Sequence, residues 1–320
     1  MTPQLALAVD IGGTKVETAL VAADGTVIPG SRHREPTGRT LLPAAFLESL
    51  GRCIDRSMAR AADGDVVGVG IGSAGPVDID AGRIRPKNLP LLHGLGVRDE
   101  VARRVGLRTR LRLDGTCIAL AEAWVGANRT ATSSMSLVVS TGIGGGIVVD
   151  GRILSGRTGN AGHVGQIHVR DRDRTTESDG TLEGIASGPS TVAWARRRGW
   201  AGSTGEDLGR SASAGDAVAR DAIQRSATAV GTAIADIATL LDIDAFAIGG
   251  GFSHVTDWYL GAVRDAARAG AVFDYSRDVT VQATGLDTEG PLIGAAALVH
   301  RSSLLGEATA AEDDLVPVAR

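Results

Sequence analysis

Ala6-Leu-Ala-Val-Asp-Ile-Gly-Gly-Thr-Lys-Val-Glu-Thr-Ala-Leu20 is the stretch whose reading decides the fold. An apolar run of strand length ends in an acid, Asp10, and turns through Gly12 and Gly13. It continues as a second strand in which Val16, Thr18 and Leu20 alternate with their neighbours. A dinucleotide fingerprint or an NTPase P-loop needs a helix after the glycines, so a following strand disfavours both. Without a Cβ at Gly12 and Gly13 an anion can reach the backbone amides, and the Thr14 hydroxyl adds a donor beside them. The loop can therefore hold phosphate. It equally suits a hairpin whose turn needs only positive φ.

A second stretch separates the two readings. Ser136-Leu-Val-Val-Ser-Thr-Gly-Ile-Gly-Gly-Gly-Ile-Val-Val-Asp-Gly-Arg-Ile-Leu154 repeats the plan of strand, hydroxyl and glycine turn, strand, then an Asp-Gly turn into a third strand. The first copy has its own Asp-Gly turn, at Asp24-Gly25, leading into Thr26-Val-Ile28. Two halves of like design indicate internal duplication, and two glycine hairpins, one per domain, can grip a nucleotide's phosphate chain.

Composition bounds the class. The 320 residues suit two ordinary domains, and 43% hydrophobic with 22% charged residues is a globular balance. A net charge of -4 favours neither nucleic acid nor an anionic membrane as a partner. No apolar run is long enough to span a bilayer, and strand one begins at once without a basic leader, so a cytoplasmic protein is expected. Cys53 and Cys117 lie in unlike contexts, which points to core thiols in a reducing compartment. Lysine occurs only at Lys15 and Lys87, a bias read as genomic.

Along the chain, Leu42, Phe46, Leu50, Ile54 and Met58 have helical spacing, and Val66–Gly72 reads as a buried parallel strand. Ser73–Asp78 is then a loop at its carboxyl end, where open α/β sheets bind ligands. Pro86-Lys-Asn-Leu-Pro90 is a rigid loop, 97–105 a short helix and 107–113 a strand. Asp114 falls between that strand and a helix over 115–126. A carboxylate there is favoured in its ionised form by the helix dipole, which suits a proton acceptor; the same place is an ordinary helix cap. Helices follow over 194–200 and 216–241, then a strand over 245–248. The triple glycine Gly249-Gly-Gly251 turns into a helix carrying Trp258 and Tyr259, 279–283 is the last strand and 291–305 the last helix. The tail beyond residue 310 is expected to fray.

The motifs resemble the actin-like ATPase superfold of sugar kinases and, more narrowly, the ROK family, from Asp10-Ile-Gly-Gly-Thr14 through Gly142-Ile-Gly-Gly-Gly146 to Gly290-Pro-Leu-Ile-Gly-Ala-Ala296. The resemblance implies an α/β, ribonuclease H-like fold of duplicated mixed sheets flanked by helices, with the active site in the interdomain cleft. It implies a small domain of residues 1–114, joined by the helix at 291–305, and a large domain of 115–290. It further implies Mg²⁺-ATP as cofactor. Gly12, Gly13, Thr14, Lys15, Thr141 and Gly142 would serve the phosphates, Gly249, Gly250 and Gly251 the adenosine, and Asp10 would hold Mg²⁺ through water. Asp114 would take the proton of the attacking hydroxyl.

On the acceptor side the resemblance implies Gly75, Pro76, Asn88, Leu113, Asp114, Asn160, His163, Gln166 and Glu183. Here the chain departs from the family. In Gly159-Asn-Ala-Gly-His-Val-Gly-Gln166, His163 stands where a glutamate is usual and Gln166 where a histidine is usual, and Leu113 replaces a common asparagine. The family's zinc cysteines are missing near Arg174, Thr176 and Thr181, so no zinc site is expected. Fewer hydrogen-bonding groups suit plain glucose less well. The expected activity is transfer of the γ-phosphate of ATP to a primary hydroxyl of a modified hexose, an amino or deoxy sugar such as a 3-amino-glucose, or of a C7 cyclitol. The alternatives are an ordinary glucokinase, with His163 a neutral change, a non-catalytic sugar sensor, and a chaperone-like ATPase. No helix-turn-helix module precedes strand one, which points away from the family's repressors. A homodimer or homotetramer is expected, as in many members of the family.

Overall fold

The turn at Gly12–Thr14 closes an antiparallel hairpin of β1 (Gln4–Ile11) and β2 (Lys15–Ala22), with Asp10 opposite Glu17. The computed structural model describes residues 3–61, 64–170, 179–286 and 288–305. Strand β3 (His33–Pro36) pairs with β2, setting Arg34 opposite Glu17. This corrects the third strand expected at Thr26–Ile28, where only Val27 makes a bridge, to Val21. Pro29 cannot donate to a ladder, and Gly30 turns the chain away at φ +74°.

Helix α1 (Pro43–Met58) buries the expected stripe at Phe46, Leu50 and Ile54, then leads to β4 (Asp65–Ser73), parallel to β1. A small ribbon of β5 (Val77–Asp78) and β6 (Arg83–Ile84) comes next. After it come α2 (Val97–Val105), β7 (Thr109–Leu113), parallel to β4, and α3 (Asp114–Trp124). The second half opens with β8 (Ser134–Val139), β9 (Ile143–Val149) and β10 (Arg152–Ile153). Between the last two, Asp150 and Gly151 both take positive φ, 50° and 70°, the backbone of a tight two-residue hairpin. Helices α4 (Leu182–Ala186), α5 (Gly188–Arg197), α6 (Gly205–Ser213) and α7 (Ala217–Leu241) precede β11 (Ala245–Gly249). The chain ends through α8 (Tyr259–Gly270), α9 (Asp274–Arg277), β12 (Thr280–Ala283) and α10 (Gly290–His300).

The sheet orders are β3-β2-β1-β4-β7 and β10-β9-β8-β11-β12. In each, the first strand of the half is central, its hairpin partner and a third strand lie on one side, and two later strands lie on the other. The one-to-one match is the duplication carried into topology.

The chain folds as two units, one of residues to Arg129, Gly146–Gly162 and the chain from Thr288, the other of Thr130–Gly145 and the chain from His163 to that return. Two apolar layers build the first unit. Leu7, Val9, Ile11, Phe46 and Ile71 fill one face of its sheet, while Ala6, Ala8, Ala19, Cys117, Ala296 and Leu298 fill the other. Small residues make the second layer possible. A Cβ at Gly70 would overlap the Ala295 carbonyl and one at Gly294 the Cys117 backbone, so α10 lies directly on β4 and α3.

Two helix bounds differ from expectation. Helix α5 begins at Gly188, not at Trp194, because Ser187 caps it and Pro189 opens its first turn, and it ends at Arg197 just before Gly199 takes φ +89°. The last helix stops at His300, and Ser302–Leu305 is a separate 3-10 turn. Arg174, Thr176 and the tail beyond residue 310 lie outside the described residues.

Candidate active site

In the first unit, Asp10 lies at the carboxyl end of β1 and Asp114 directly after β7, with only β4 between those strands. Gly72 of β4 pairs with Asp10, and a Cβ there would sit 3.8 Å from Asp10 Oδ1 and 3.1 Å from Cys117 Sγ. Asp10 is 8% exposed. Burial, then the negative charges of Asp114 and Glu17, push its carboxyl up to about 7, while Lys15 and Arg32 pull against them. Asp114 is half-buried, and its Oδ1 accepts the Gly115 N–H at 2.7 Å. The cap position of α3 belongs to Leu113, which makes no side-chain cap bond, so Asp114 sits in the first turn where the helix dipole stabilises an anion. A desolvated carboxylate with a second one near it is an environment that Mg²⁺ fits.

The glycine loop is held from several sides. Gly12 donates to the Lys15 carbonyl at 2.9 Å and its own carbonyl accepts the Thr37 hydroxyl at 2.8 Å, while the Thr37 N–H donates to the Thr14 carbonyl at 2.9 Å. A Cβ at Gly13 would overlap the Asn88 amide, so the structure brings an expected acceptor residue against the expected phosphate loop. Thr14 is exposed. Lys15 Nζ is 2.6 Å from Glu17 Oε2 and Arg32 also donates to that carboxylate, so Lys15 is engaged within its own unit. Asn160 accepts the Val77 N–H at 2.8 Å and donates to the Val77 carbonyl at 2.7 Å, next to the cis Gly75-Pro76 bond. Leu113 is 2% exposed and packs in the core, which leaves little of its surface to a ligand.

In the second unit, the hairpin at Ser140–Gly142 is closed by the Ser140 N–H donating to the Gly142 carbonyl, and Gly188 donates to the Ser140 carbonyl, each at 2.9 Å. Glu183 ties this turn to the segment after His163. Its Oε2 accepts the Ile143 N–H at 3.0 Å and its Oε1 the Gln166 amide at 3.2 Å. His163 is half-buried and precedes the 3-10 turn Val164–Gln166, its carbonyl accepting the Gln166 N–H at 3.0 Å. A cavity of about 1120 Å³ opens beside the hairpin. Ser140, Thr141 and Gly251 line it, together with Trp258 and with Arg196 and His254, which the sequence reading did not single out. Gly250, at φ +93°, packs on the Val139 carbonyl and Gly249 on Thr284, so the triple glycine lets strand and turn pass close to that wall. A sequence signal for the missed wall is the Thr204/Asp207 capping box that starts α6, of which Thr204 is part of the lining.

Duplicated mixed sheets of this order, flanked by helices, define the actin-like ATPase fold. Residues 6–302 match the model of the ROK family, and the chain belongs to that family. A glucokinase of Streptomyces coelicolor is 30% identical over 92% of this chain and 98% of its own length. An N-acetylmannosamine kinase of Escherichia fergusonii is 30% identical over 93% and 99% respectively. The solved structure of a ROK family glucokinase from Streptomyces griseus, in complex with glucose and AMPPNP, is similar with a TM-score of 0.79 and 28% identity, covering 93% of this chain and 99% of that one.

Proposed function

We propose that the protein is an ATP-dependent kinase that transfers the γ-phosphate of ATP to a primary hydroxyl of a hexose or hexose-like acceptor. The single observation that carries this reading is the pair of carboxylates, Asp10 and Asp114, at the carboxyl ends of two parallel strands with one strand between them, one acid buried and one beginning a helix. Kinship with kinases of glucose and N-acetylmannosamine supports the sugar as acceptor.

When bound, Mg²⁺-ATP supplies the phosphoryl group and the metal charge that neutralises it. Asp10 is the residue to hold that ion, through water, since Mg²⁺ favours few carboxylates and keeps its waters. Asp114 would accept the proton of the acceptor hydroxyl as that hydroxyl's oxygen bonds to phosphorus, while the bond from phosphorus to the bridging oxygen breaks and ADP leaves. Gly12, Gly13 and Thr14 in the first unit, and Thr141 and Gly142 in the second, offer amides and hydroxyls to phosphate oxygens. The large cavity beside Thr141, with Trp258 in its wall, suits the adenosine.

The acceptor itself is proposed to be modified, an amino or deoxy sugar or a C7 cyclitol. The support is chemical. Leu113 is an apolar core residue, and Glu183 already has one donor on each oxygen, from Ile143 and Gln166. Fewer acceptors then remain for the hydroxyls of plain glucose. The second reading, an ordinary glucokinase, is favoured by the glucose kinases among the relatives. ADP release with Mg²⁺-ATP decides between them, across glucose, mannose, N-acetylmannosamine, free amino hexoses and C7 cyclitols. Turnover of unmodified glucose as fast as of any modified acceptor rejects the modified-acceptor reading, and no release with any acceptor rejects the kinase. No helix among the described residues is long and apolar enough to cross a membrane, and Cys53 and Cys117 are both buried and not disulfide-bonded, which supports a reducing, cytoplasmic setting.

A further inference from the structure

Beside the hairpin of β1 and β2, a cavity of about 360 Å³ is lined by Lys15, Glu17, Arg32, His33, Arg34 and Thr288. Three cations thus face one carboxylate. Glu17 is 2% exposed and takes two of them: Lys15 at 2.6 Å, and Arg32, whose Nη2 lies 3.2 Å from each carboxylate oxygen. Arg32 is held in turn by the hydroxyl and carbonyl of Thr288, at 3.3 and 3.1 Å. Arg34 stands directly opposite Glu17 in the β2–β3 ladder, on the same face of the sheet, and makes no ion pair with it. His33 pairs with Thr18 in the same ladder, so its side chain lies on the opposite face of the sheet from Arg34.

Positive charges gathered round a concavity attract an anion. Among the described lining residues, three cations against one carboxylate leave two charges, the charge of a phosphate monoester, although Asp10 opposite Glu17 also acts on Lys15 and Arg32. The volume is at the small end of ligand sites, enough for a phosphate on a short organic stem. Guanidinium forks such as those of Arg32 and Arg34 match phosphate oxygens in pairs. We infer that this cavity is an anion site for a dianionic phosphoryl group, built by Arg32 and Arg34 around the Lys15–Glu17 pair. The group can come from free phosphate or from a phosphorylated sugar, and the two share the chemistry the cavity recognises.

The test is the thermal midpoint of the intact protein titrated with orthophosphate against sodium chloride of equal ionic strength, for wild type, Arg34→Ala and Arg34→Glu. Arg34 is exposed and makes no ion pair with Glu17, so its variants should keep the fold. Orthophosphate should raise the wild-type midpoint saturably. The half-saturating concentration should rise about fivefold in Arg34→Ala and further in Arg34→Glu, the scale set by removing one exposed cation from an anion's surroundings. Titration with glucose 6-phosphate in parallel identifies the source: saturation at lower concentration than orthophosphate, abolished in Arg34→Glu, assigns the site to a sugar phosphate, and equal curves assign it to free phosphate. An absent response, or one that the Arg34 variants leave unchanged, overturns the site. ADP release by Arg34→Ala, measured alongside, keeps failure of this site distinct from failure of the kinase reading.

Discussion

At the scale of single residues, the proposed chemistry rests on Asp114. Replacing it with Asn keeps the size and the Gly115 hydrogen bond but removes the basic oxygen. Asp114→Asn should lower kcat about 10²- to 10⁴-fold while the KM for ATP stays close to wild type, as steady-state kinetics would show. A raised KM with kcat unchanged would mean a binding role instead. Asp10 gives a pH signature. Its folded value, about 7, lies above the ordinary 3.8, so between those values the folded protein holds a proton that the unfolded chain has released. The stabilising contribution is then complete below pH 4 and is lost as pH rises toward 7. Without metal or nucleotide, Asp10→Asn should be more stable than wild type at pH 8 by on the order of 4 kcal/mol at most, with the gap narrowing at pH 5. Urea unfolding at the two pH values measures it. Gly13→Ala should raise the KM for ATP, because the new methyl meets the Asn88 amide, and Asn88→Ala on top should recover part of the loss.

At the scale of elements, the close seat of α10 is the vulnerable point. Gly70→Val puts side chain where the Ala295 carbonyl lies, and Gly294→Leu does the same at the Cys117 backbone. Each should cost about 3 kcal/mol or more, read as a fall in denaturation midpoint, because backbone on backbone has no rotamer to yield. Many elements were readable from pattern alone. Of the apolar stripe expected along α7, Ile223, Ala227, Val230 and Ile234 are fully buried while Ile237 and Leu241 at its end are half-buried, and α2 occupies the expected residues 97–105. Elements set by caps and turns were not. Helix α5 starts at a Ser187 cap ahead of its apolar residues, α6 rests on a capping box with only a short apolar face, and the displacement of β3 follows from Pro29 and Gly30. A hydrophobic period registers none of these.

At the scale of the whole molecule, the duplicated sheets predict that nucleotide acts on global stability. Mg²⁺-AMPPNP at about 100 times its Kd should stabilise the protein by about 2.7 kcal/mol, seen as a higher thermal midpoint. Thr141→Ala should reduce that gain.

Local pattern by itself determined the two glycine hairpins, their repetition, and the acids at the ends of β1 and β7, because turn chemistry and strand alternation act over a few residues. Only the tertiary structure decided that Glu183 bonds Ile143 and Gln166, that Asn88 lies on Gly13, that Leu113 faces the core, and that Arg32 and Arg34 gather round Lys15 and Glu17. Those pairings join residues distant in the chain or on neighbouring strands, and their partners are chosen by how sheets and helices pack, which no short window of sequence contains.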